Sequence, residues 1–330
     1  MEKYKEIHIR DFPPTLTFVS LNDEYRRCLF KKAIKLLKSE QKLLDFLNSR
    51  SRLYAIKRNH SRLNLYSWIE GRVRDRGSIK NINIPLWVLI EISMIISNKR
   101  IKNNGVMCEV EKNIISYSCW GKSNPILKPR FPLLLTPEMI SVIFHFAGDG
   151  HIGRKGVCSS YRQMNKQALN SFLLKLTNIF GEFDYSKKEF SDGRLNVPKI
   201  ITHFYNHYFN LPSMNTFDAY IPIPIKNMSR EFILAGLLAF IVDEAHVYEV
   251  ITVYSKNKRL ILDIKEISEQ LGYLTHSLRE KYAYGRFDVY RFSISSKSYR
   301  KLWDDIAKLS SKFPQCDLCH KMGALSKRIH

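Results

Sequence analysis

The sequence predicts an α+β protein that carries one α-β-β-α-β-β-α unit twice, behind a small all-α domain. Two long apolar runs, Met139 to Gly153 and Glu231 to Val247, have helical character and contain acidic residues near their ends. Similar strand and helix patterns follow each run. We expect a helical domain over residues 1–105, a connector over 106–132, a first unit over 133–226 and a second unit with a C-terminal tail over 227–330.

The predicted N-terminal domain contains a helix-turn-helix-like segment. The run His60 to Val73 precedes the apolar run Ile84 to Ile96, with Ser61 as an N-cap, Gly71 as a helix stop and Pro85 suited to a first turn. One helix of such a motif enters the major groove, and basic residues meet phosphates. We expect DNA contacts from Arg62, Asn64, Ser67, Arg72, Arg74 and Arg76. The alternative is a helical bundle with a basic loop.

The first unit begins with the apolar run that ends at Gly148-Asp149-Gly150. A β-rich stretch follows, and then a helix that starts at Asn165-Lys166 and stops at Gly181, a residue suited to a left-handed C-cap. Further elements are expected as strands around Phe183 to Phe190 and Arg194 to Lys199, and a closing helix over Ile200 to Phe209.

The second unit repeats this order. Its apolar run ends at Asp243-Glu244-Ala245, and a helix follows from Asn257 to Gly272. The remaining elements are expected as strands around Thr275 to Ala283 and Arg286 to Ser295, and a closing helix over Ser298 to Leu309.

Acids and lysines recur at equal spacing in the two units. Lys226 follows Asp149, and Lys321 follows Glu244, in both cases by 77 residues. A carboxylate at a helix C-terminus is disfavoured by the helix dipole, so two such acids indicate a functional role. The alternative is that they are ordinary helix-end acids. A paired acid-plus-lysine arrangement suits an attack on two phosphodiester strands related by a pseudo-two-fold axis.

Aligned on their acids, the segments Val142 to Gly150 and Leu237 to Ala245 resemble the motif of the LAGLIDADG homing endonucleases, in the form with two motifs in one chain. The letters LAGL at Leu234 to Leu237 match the family name, but that register places Ile241 at the acid position. We therefore reject it. The resemblance covers roughly residues 130–321, which is over half of the chain.

The resemblance implies a saddle of two sheets over DNA, with the motif helices packed side by side. It also implies that Asp149 and Glu244 bind a divalent metal near the scissile phosphates, for which we expect Mg²⁺ or Mn²⁺. Oxygen ligands suit such hard cations, which lower the pKa of bound water. A nearby lysine can polarise water or offset charge, so we expect Lys226 and Lys321 to assist catalysis. The alternative is that the matching lysines arise by chance in a chain with 53 Lys and Arg. The sequence departs from the family pattern at Phe144, where a small residue is usual at the helix contact, and at Ala245 in place of glycine.

The charge of the chain fits a nucleic-acid partner. Its 53 Lys and Arg outnumber 31 Asp and Glu, which gives a net charge of +22. The longest apolar run, Phe232 to Val242, is shorter than the roughly 20 residues that span a bilayer. No apolar signal core occurs at the N-terminus. We expect a cytoplasmic, nucleoid-associated monomer that binds double-stranded DNA and no membrane.

Six cysteines are scattered through the sequence, and without an export signal we expect them to be reduced. Cys316 and Cys319, followed by His320, have the spacing of a zinc half-site or of haem attachment. A structural zinc site requires four ligands, so the favoured interpretation is a tail packed beside Lys321.

The sequence therefore predicts a metal-dependent, site-specific DNA endonuclease. Two alternatives use the same fold: a DNA-binding transcriptional regulator that does not cut, and an RNA-splicing maturase.

Overall fold

The computed structural model describes residues 4–75, 78–97, 105–120, 124–152, 159–211, 214–215, 217–283 and 286–329. Within these ranges the protein is a mixture of helices and antiparallel sheets, as the α+β prediction required. None of the described helices has the length and apolarity to cross a membrane. Cys158, Tyr284 and Gly285 lie outside the described residues.

The N-terminal part contains both helices and strands. Its helices are α1 (Asp23–Leu37), α2 (Glu40–Ser51), α3 (Arg62–Glu70), α4 (Leu86–Ile96) and α5 (Gly105–Lys112). Its strands are β1 (Glu6–Ile7), β2 (Thr17–Leu21), β3 (Arg72–Asp75), β4 (Ser78–Asn81), β5 (Ile84–Pro85), β6 (Ile114–Cys119), β7 (Ile126–Leu127) and β8 (Leu133–Leu134).

The all-α prediction for this part is corrected by a four-stranded sheet of order β5-β2-β6-β7. Thr17, Val19 and Leu21 on β2 are buried while the residues between them are half-buried, which is the period-two pattern of a strand. β2 pairs with β6, which belongs to the segment expected to be a connector. The sheet therefore combines a strand that precedes α1 in the sequence, β2, with strands that follow α5, β6 and β7.

The helix boundaries predicted around α3 are confirmed. The Ser61 hydroxyl accepts a hydrogen bond from the Asn64 amide at the N-terminus, and Gly71 ends the helix at φ +65°. A side chain at Gly71 would have its Cβ 2.4 Å from the guanidinium of Arg26, which donates to the Ile69 and Glu70 carbonyls. Arg26 thereby joins α1 to the end of α3. Pro85 is the N-cap of α4 rather than a residue of its first turn.

The N-terminal part shares one hydrophobic core with the rest of the chain. β1 pairs with β8, just ahead of the first motif helix. Phe12 stacks on Phe204 with ring centroids 4.5 Å apart, and the Tyr117 hydroxyl donates to the Phe180 carbonyl over 3.2 Å. These contacts anchor the N-terminal sheet on the first unit.

The first unit runs α-β-β-α-α-β-α-α. Its elements are α6 (Pro137–Ala147), β9 (Gly150–His151), β10 (Ser159–Arg162), α7 (Lys166–Phe180), α8 (Lys187–Ser191), β11 (Arg194–Val197), α9 (Lys199–Phe209) and the short α10 (Ile223–Lys226). Its sheet has the order β11-β10-β9. The strand expected around Phe183 to Phe190 is wrong: Ser186 accepts a hydrogen bond from the Glu189 amide and starts α8 there.

The second unit has the predicted α-β-β-α-β-β-α order. Its elements are α11 (Arg230–Glu244), β12 (Ala245–Val247), β13 (Ile251–Ser255), α12 (Lys258–Gln270), β14 (Arg279–Ala283), β15 (Arg286–Ile294), α13 (Tyr299–Ser310) and a C-terminal α14 (Met322–Ser326). The sheet order is β12-β13-β15-β14. Asn165 and Asn257 cap α7 and α12 through their side chains, as expected.

The motif helices α6 and α11 pack against each other, and Phe144 fits there because its neighbour is a glycine. A Cβ added at Gly236 would lie 2.3 to 2.6 Å from three atoms of the Phe144 ring. The contact at Phe144 is thus asymmetric, and the LAGL letters supply the glycine that accommodates the ring. Ala245 adopts φ −124°, an extended conformation that carries no penalty for a side chain.

Candidate active site

The two motif helices bring their C-terminal ends together at a glycine. Asp149 follows the C-cap Gly148 of α6, and Glu244 is the last residue of α11. A Cβ at Gly148 would lie 2.9 Å from the Cβ of Asp243. Gly148 therefore allows the close approach that gathers Asp149, Asp243 and Glu244 into one group, called here the acid cluster.

Burial raises the pKa of every member of the acid cluster, and repulsion by neighbouring acids adds to the shift for Asp149 and Glu244. Burial, then the charge of Asp243, raises the pKa of Asp149 to about 7. Burial, then the charges of Asp149 and Asp243, raises the pKa of Glu244 to about 8. Burial also raises the pKa of Asp243 to about 7, against the hydrogen bond from Tyr161. Without a cation the cluster therefore resists full ionisation at neutral pH.

Lys321 lies beside the acid cluster, as the sequence predicted. Its ammonium donates to the carbonyls of Ile241, Val242 and Ala245 at 2.8, 2.6 and 2.6 Å. These carbonyls stand at the C-terminal, negative end of α11, where a cation is favoured. Burial lowers the pKa of Lys321, and the charges of Asp243, Asp149 and Glu244 oppose that shift. Lys321 is thus the internal counter-charge of the acids.

Lys226 occupies a different environment, and its equal sequence spacing is misleading. Its ammonium contacts Asp263 Oδ1 at 3.0 Å and Glu266 Oε2 at 2.7 Å, both on α12. Neither Asp149 nor Glu244 has a pKa that responds to Lys226. Lys226 joins the short α10 to α12 and is not an equivalent of Lys321.

A buried polar network holds Asp243, which sequence reasoning did not select. The Tyr161 hydroxyl donates to Asp243 Oδ1 over 2.6 Å, and His145 Nδ1 lies 2.9 Å from Asp243 Oδ2. His145 Nε2 lies 2.9 Å from the Lys175 ammonium. Because an ammonium can only donate, Nε2 accepts and the Nδ1 proton is directed at Asp243.

The members of this network are closed off from solvent. The side chains of Asp243 and His145 are 0% and 2% exposed, and Lys175 is 2% exposed. Burial and the charge of Lys175 lower the pKa of His145 well below its usual range, so the imidazole is neutral. The signal in the sequence was an ionisable residue inside an apolar run: His145 in α6, and Lys175 between Phe172 and Leu176 in α7.

The acids of the two motifs open to different clefts. Asp149 lines a cleft of about 570 Å³ beside Arg162 and Arg194 of the first sheet. Glu244 lines a cleft of about 350 Å³ beside Tyr254 and Lys256 at the second sheet. The Gln163 amide donates to Asp149 Oδ2 over 2.8 Å and thereby orients that carboxylate. Each motif acid thus opens to a cleft that contains at least one basic side chain, and Glu189 and Asp192 also line the first cleft.

The residues of α3 that were expected to contact DNA differ in their exposure to solvent. Arg62 is exposed and donates to Gln41 Oε1 over 3.0 Å. Asn64 is exposed, but its Oδ1 accepts from the Ser61 amide in a capping box. Ser67 is 6% exposed and donates to the Leu63 carbonyl, so the expectation that it faces the major groove is wrong.

The basic residues after α3 belong to a hairpin rather than a loop. Arg72 is exposed at the start of β3, and Arg74 lies in the same strand, which pairs with β4. Arg76 lies outside the described residues.

The cysteines of the C-terminal tail are buried and unpaired. Cys316 and Cys319 are 1% and 7% exposed, and burial raises the pKa of their thiols to about 12 and about 11. Within the described part of the chain they do not join a group of three metal-ligand side chains. The geometry agrees with a tail packed beside Lys321.

No family model and no curated protein sequence matches the chain. Solved structures similar to it are those of the homing endonuclease I-DmoI. One, of mesophilic variants, is 14% identical and covers 50% of this chain and 88% of its own, with a TM-score of 0.35. Another, I-DmoI in complex with DNA and Mn, is 19% identical and covers 52% and 96%, also with a TM-score of 0.35. Homing endonucleases are the class that the two motifs predicted.

Proposed function

We propose that the protein is a divalent-metal-dependent endonuclease that cuts double-stranded DNA at a specific site. The observation that carries this proposal is the acid cluster at the junction of α6 and α11, with Asp149 and Glu244 open to clefts on two different sheets. Burying three carboxylates that repel one another is unfavourable in free energy, and such groups with strongly shifted pKa values are typical of functional sites.

The acid cluster fits a hard divalent cation. Its donors are all carboxylate oxygens, which Mg²⁺ and Mn²⁺ prefer, and the raised pKa values of Asp149 and Glu244 show negative charge that lacks compensation. Asp149 and Glu244 would hold the metal, because they line the clefts whereas the Asp243 side chain is closed off. When bound, the cation would lower the pKa of a water and neutralise developing charge on the phosphate.

The surrounding residues prepare the acids for this task. Gln163 fixes one oxygen of Asp149, and the His145–Asp243 contact fixes the end of α11 just before Glu244. Lys321 offsets part of the negative charge from inside the protein while its ammonium is held by three carbonyls. Hydrolysis then requires water to attack phosphorus and the 3′ or 5′ oxygen to leave with a proton from solvent.

Two half-sites in one chain would serve the two DNA strands. The α-β-β-α order that both units share from α6 and from α11 supports a pseudo-two-fold arrangement, although α8 replaces a strand in the first unit, and a single chain then suffices as a monomer. We also propose the division into an N-terminal part (1–105), a connector (106–132) and two repeats (133–226 and 227–330), with the α3 segment as a helix-turn-helix-like DNA contact.

The charge of the chain supports a polyanionic partner and gives a binding test. With a net charge of +22, neutralisation of on the order of ten phosphates would give a slope near −9 for log K against log salt, since each contact contributes about −0.9. Arg62 and Arg72 are exposed members of the proposed contact set, so Arg62→Ala with Arg72→Ala should flatten the slope by about 2. An unchanged slope would remove both residues from the interface.

Cleavage of a randomised duplex library with Mg²⁺ or Mn²⁺, followed by sequencing of the ends, tests the proposal. We expect recurrent cut sites with the unaltered protein and none after chelation. Asp149→Asn and Glu244→Gln should each abolish double-strand cutting while binding stays equal or tightens, because a negative charge near phosphate is removed. Asp304→Asn is a matched control, since Asp304 is an exposed acid paired with Arg300 on α13.

Full cleavage by the Asp149→Asn, Glu244→Gln double variant would contradict the proposal, and so would equal loss in Asp304→Asn. The second candidate is a DNA-binding regulator that does not cut, and it is favoured by the position of Lys321, which offsets part of the charge of the acids without a metal. A regulator would bind one recurrent site in the same library and leave it intact with either cation.

A further inference from the structure

A second group of metal-ligand side chains lies far in sequence from the acid cluster. His8 follows β1, whereas Cys108 and Glu111 lie on α5, one turn apart and therefore on one face of the helix. One ligand atom from each of the three side chains lies within 4.8 Å of those of the other two. Among the described residues, this is the group in which ligand atoms from three such side chains all lie within 4.8 Å of one another.

The His8 and Glu111 donors are already positioned. His8 Nδ1 lies 3.0 Å from Glu111 Oε2 and 3.2 Å from Oε1. The Glu111 side chain is only 4% exposed, and its Oε1 also accepts from the Ile9 amide over 2.7 Å. The His8 amide donates to Asp11 Oδ2 over 2.8 Å, which fixes the backbone that carries the imidazole. Metal binding would therefore require little further ordering of the His8 and Glu111 side chains.

The other side of the imidazole has a carboxylate. His8 Nε2 lies 3.8 Å from Glu6 Oε2, and the Glu6 side chain is 47% exposed and free to approach by rotation. A histidine that binds metal through one nitrogen usually donates its other N–H to a carboxylate or carbonyl, which fixes the tautomer and raises the basicity of the ligand. Glu6 is placed for this supporting role.

We propose that His8, Cys108 and Glu111 form a three-ligand site for a divalent transition-metal ion, with zinc the best fit. Imidazole, thiolate and carboxylate are the donors that zinc takes in proteins, and a water would complete four-coordination. The thiolate disfavours Mg²⁺ and Ca²⁺, which prefer oxygen alone. Binding through Nδ1 would release the Cys108 thiol proton to solvent, and the proton that Nδ1 donates to Glu111 would pass through solvent to Nε2, facing Glu6.

Such a site would fasten the N-terminal strand to α5. β1 pairs with β8, which lies just before the first motif helix, while α5 leads into β6 of the N-terminal sheet. A metal between His8 and α5 would therefore lock the segment 6–11 across two parts of the fold. This inference does not depend on the proposed nuclease activity.

Cobalt(II) substitution on the full-length, chelator-treated chain tests the site, because a cysteine ligand gives a thiolate-to-cobalt charge-transfer band. We expect one equivalent of Co²⁺ to produce the band and one equivalent of Zn²⁺ to displace it. Cys108→Ser should abolish the band, and Glu6→Gln should weaken zinc binding by about tenfold. Zinc should also raise the thermal unfolding midpoint of the parent chain and leave that of Cys108→Ser unchanged.

Cysteine variants elsewhere separate this site from its competitors. Cys28→Ser, at an exposed position on α1, should leave the band intact. Absence of a charge-transfer band in the parent chain would overturn the proposal and leave His8 and Glu111 as a simple ion pair. A band that persists in Cys108→Ser but is lost in the Cys316→Ser, Cys319→Ser double variant would also overturn it, by assigning the metal to the tail.

Discussion

The acid cluster should make the metal-free protein less stable as pH rises. Asp149 has a folded pKa of about 7 against an ordinary value of 3.8, and Glu244 has one of about 8 against 4.5. Below about pH 4 these groups are protonated in both the folded and the unfolded chain. Between that pH and the folded pKa values, the unfolded chain releases protons that the folded chain keeps. Unfolding is therefore increasingly favoured as the pH rises.

The expected size of the effect follows from the Asp149 pKa. A difference of about three in pKa corresponds to on the order of 4 kcal/mol, since each pKa unit is about 1.4 kcal/mol. Because the three acids repel one another and release protons as a group, we take the contribution of one proton as the expected total. At roughly 2–4 °C per kcal/mol, the unfolding midpoint should drop by on the order of 10 °C from about pH 4 to about pH 8.

The assay is thermal unfolding followed by circular dichroism in chelator, at several pH values, for the parent chain and the Asp149→Asn, Glu244→Gln variant. The difference between the two chains isolates the cluster from the titration of other groups. The unfolding midpoint of the variant should fall less with pH than that of the parent and keep only the part due to Asp243. Mg²⁺ at a hundred times its Kd should return about 2.7 kcal/mol to the parent at the higher pH. Equal pH dependence in both chains would refute the reasoning.

Three further outcomes are expected. Gly236→Ala should cost about 1–3 kcal/mol in urea unfolding because its Cβ would overlap an aromatic ring, whereas Gly323→Ala, where a Cβ meets no atom within 4 Å, should cost far less. Lys321→Met should slow single-turnover cleavage by roughly 10²-fold, and Lys226→Met should leave that rate unchanged while lowering stability. Asp243→Asn should slow cleavage about tenfold or more with DNA affinity retained, and equal rates would remove its positioning role.

The sequence was most informative where a local pattern determines the structure. Asn165 and Asn257 cap their helices, and Gly71 ends α3 at positive φ, because each of these choices depends on a few neighbouring residues. β2 was missed because its five residues are too few to give a clear period-two pattern. In addition, its partner strand β6 is about a hundred residues away in the sequence. α8 was mistaken for a strand where the Ser186 cap outweighed the aromatic residues.

The candidate site shows the same limit. Asp149, Glu244 and Lys321 were identified from the motif and its spacing, and the structure brings them together. The spacing that selected Lys226 carried no such information, since a pair of acids on α12 binds its ammonium instead. His145 and Lys175 touch across two helices, and their relation to Asp243 depends on packing that no single segment specifies.

The fit of Phe144 against Gly236 makes the two halves of the chain non-interchangeable. In the register aligned on the acids, the counterpart of Phe144 is Ala239, and the counterpart of Gly236 is Ser141. A protein built from two copies of the first half would press each ring against a serine, and one built from two copies of the second would leave an empty space between glycine and alanine. If the two halves are expressed separately, each should therefore associate with the other half in preference to a second copy of itself. The packing of Phe144 against Gly236 thus favours the heterodimer over either homodimer.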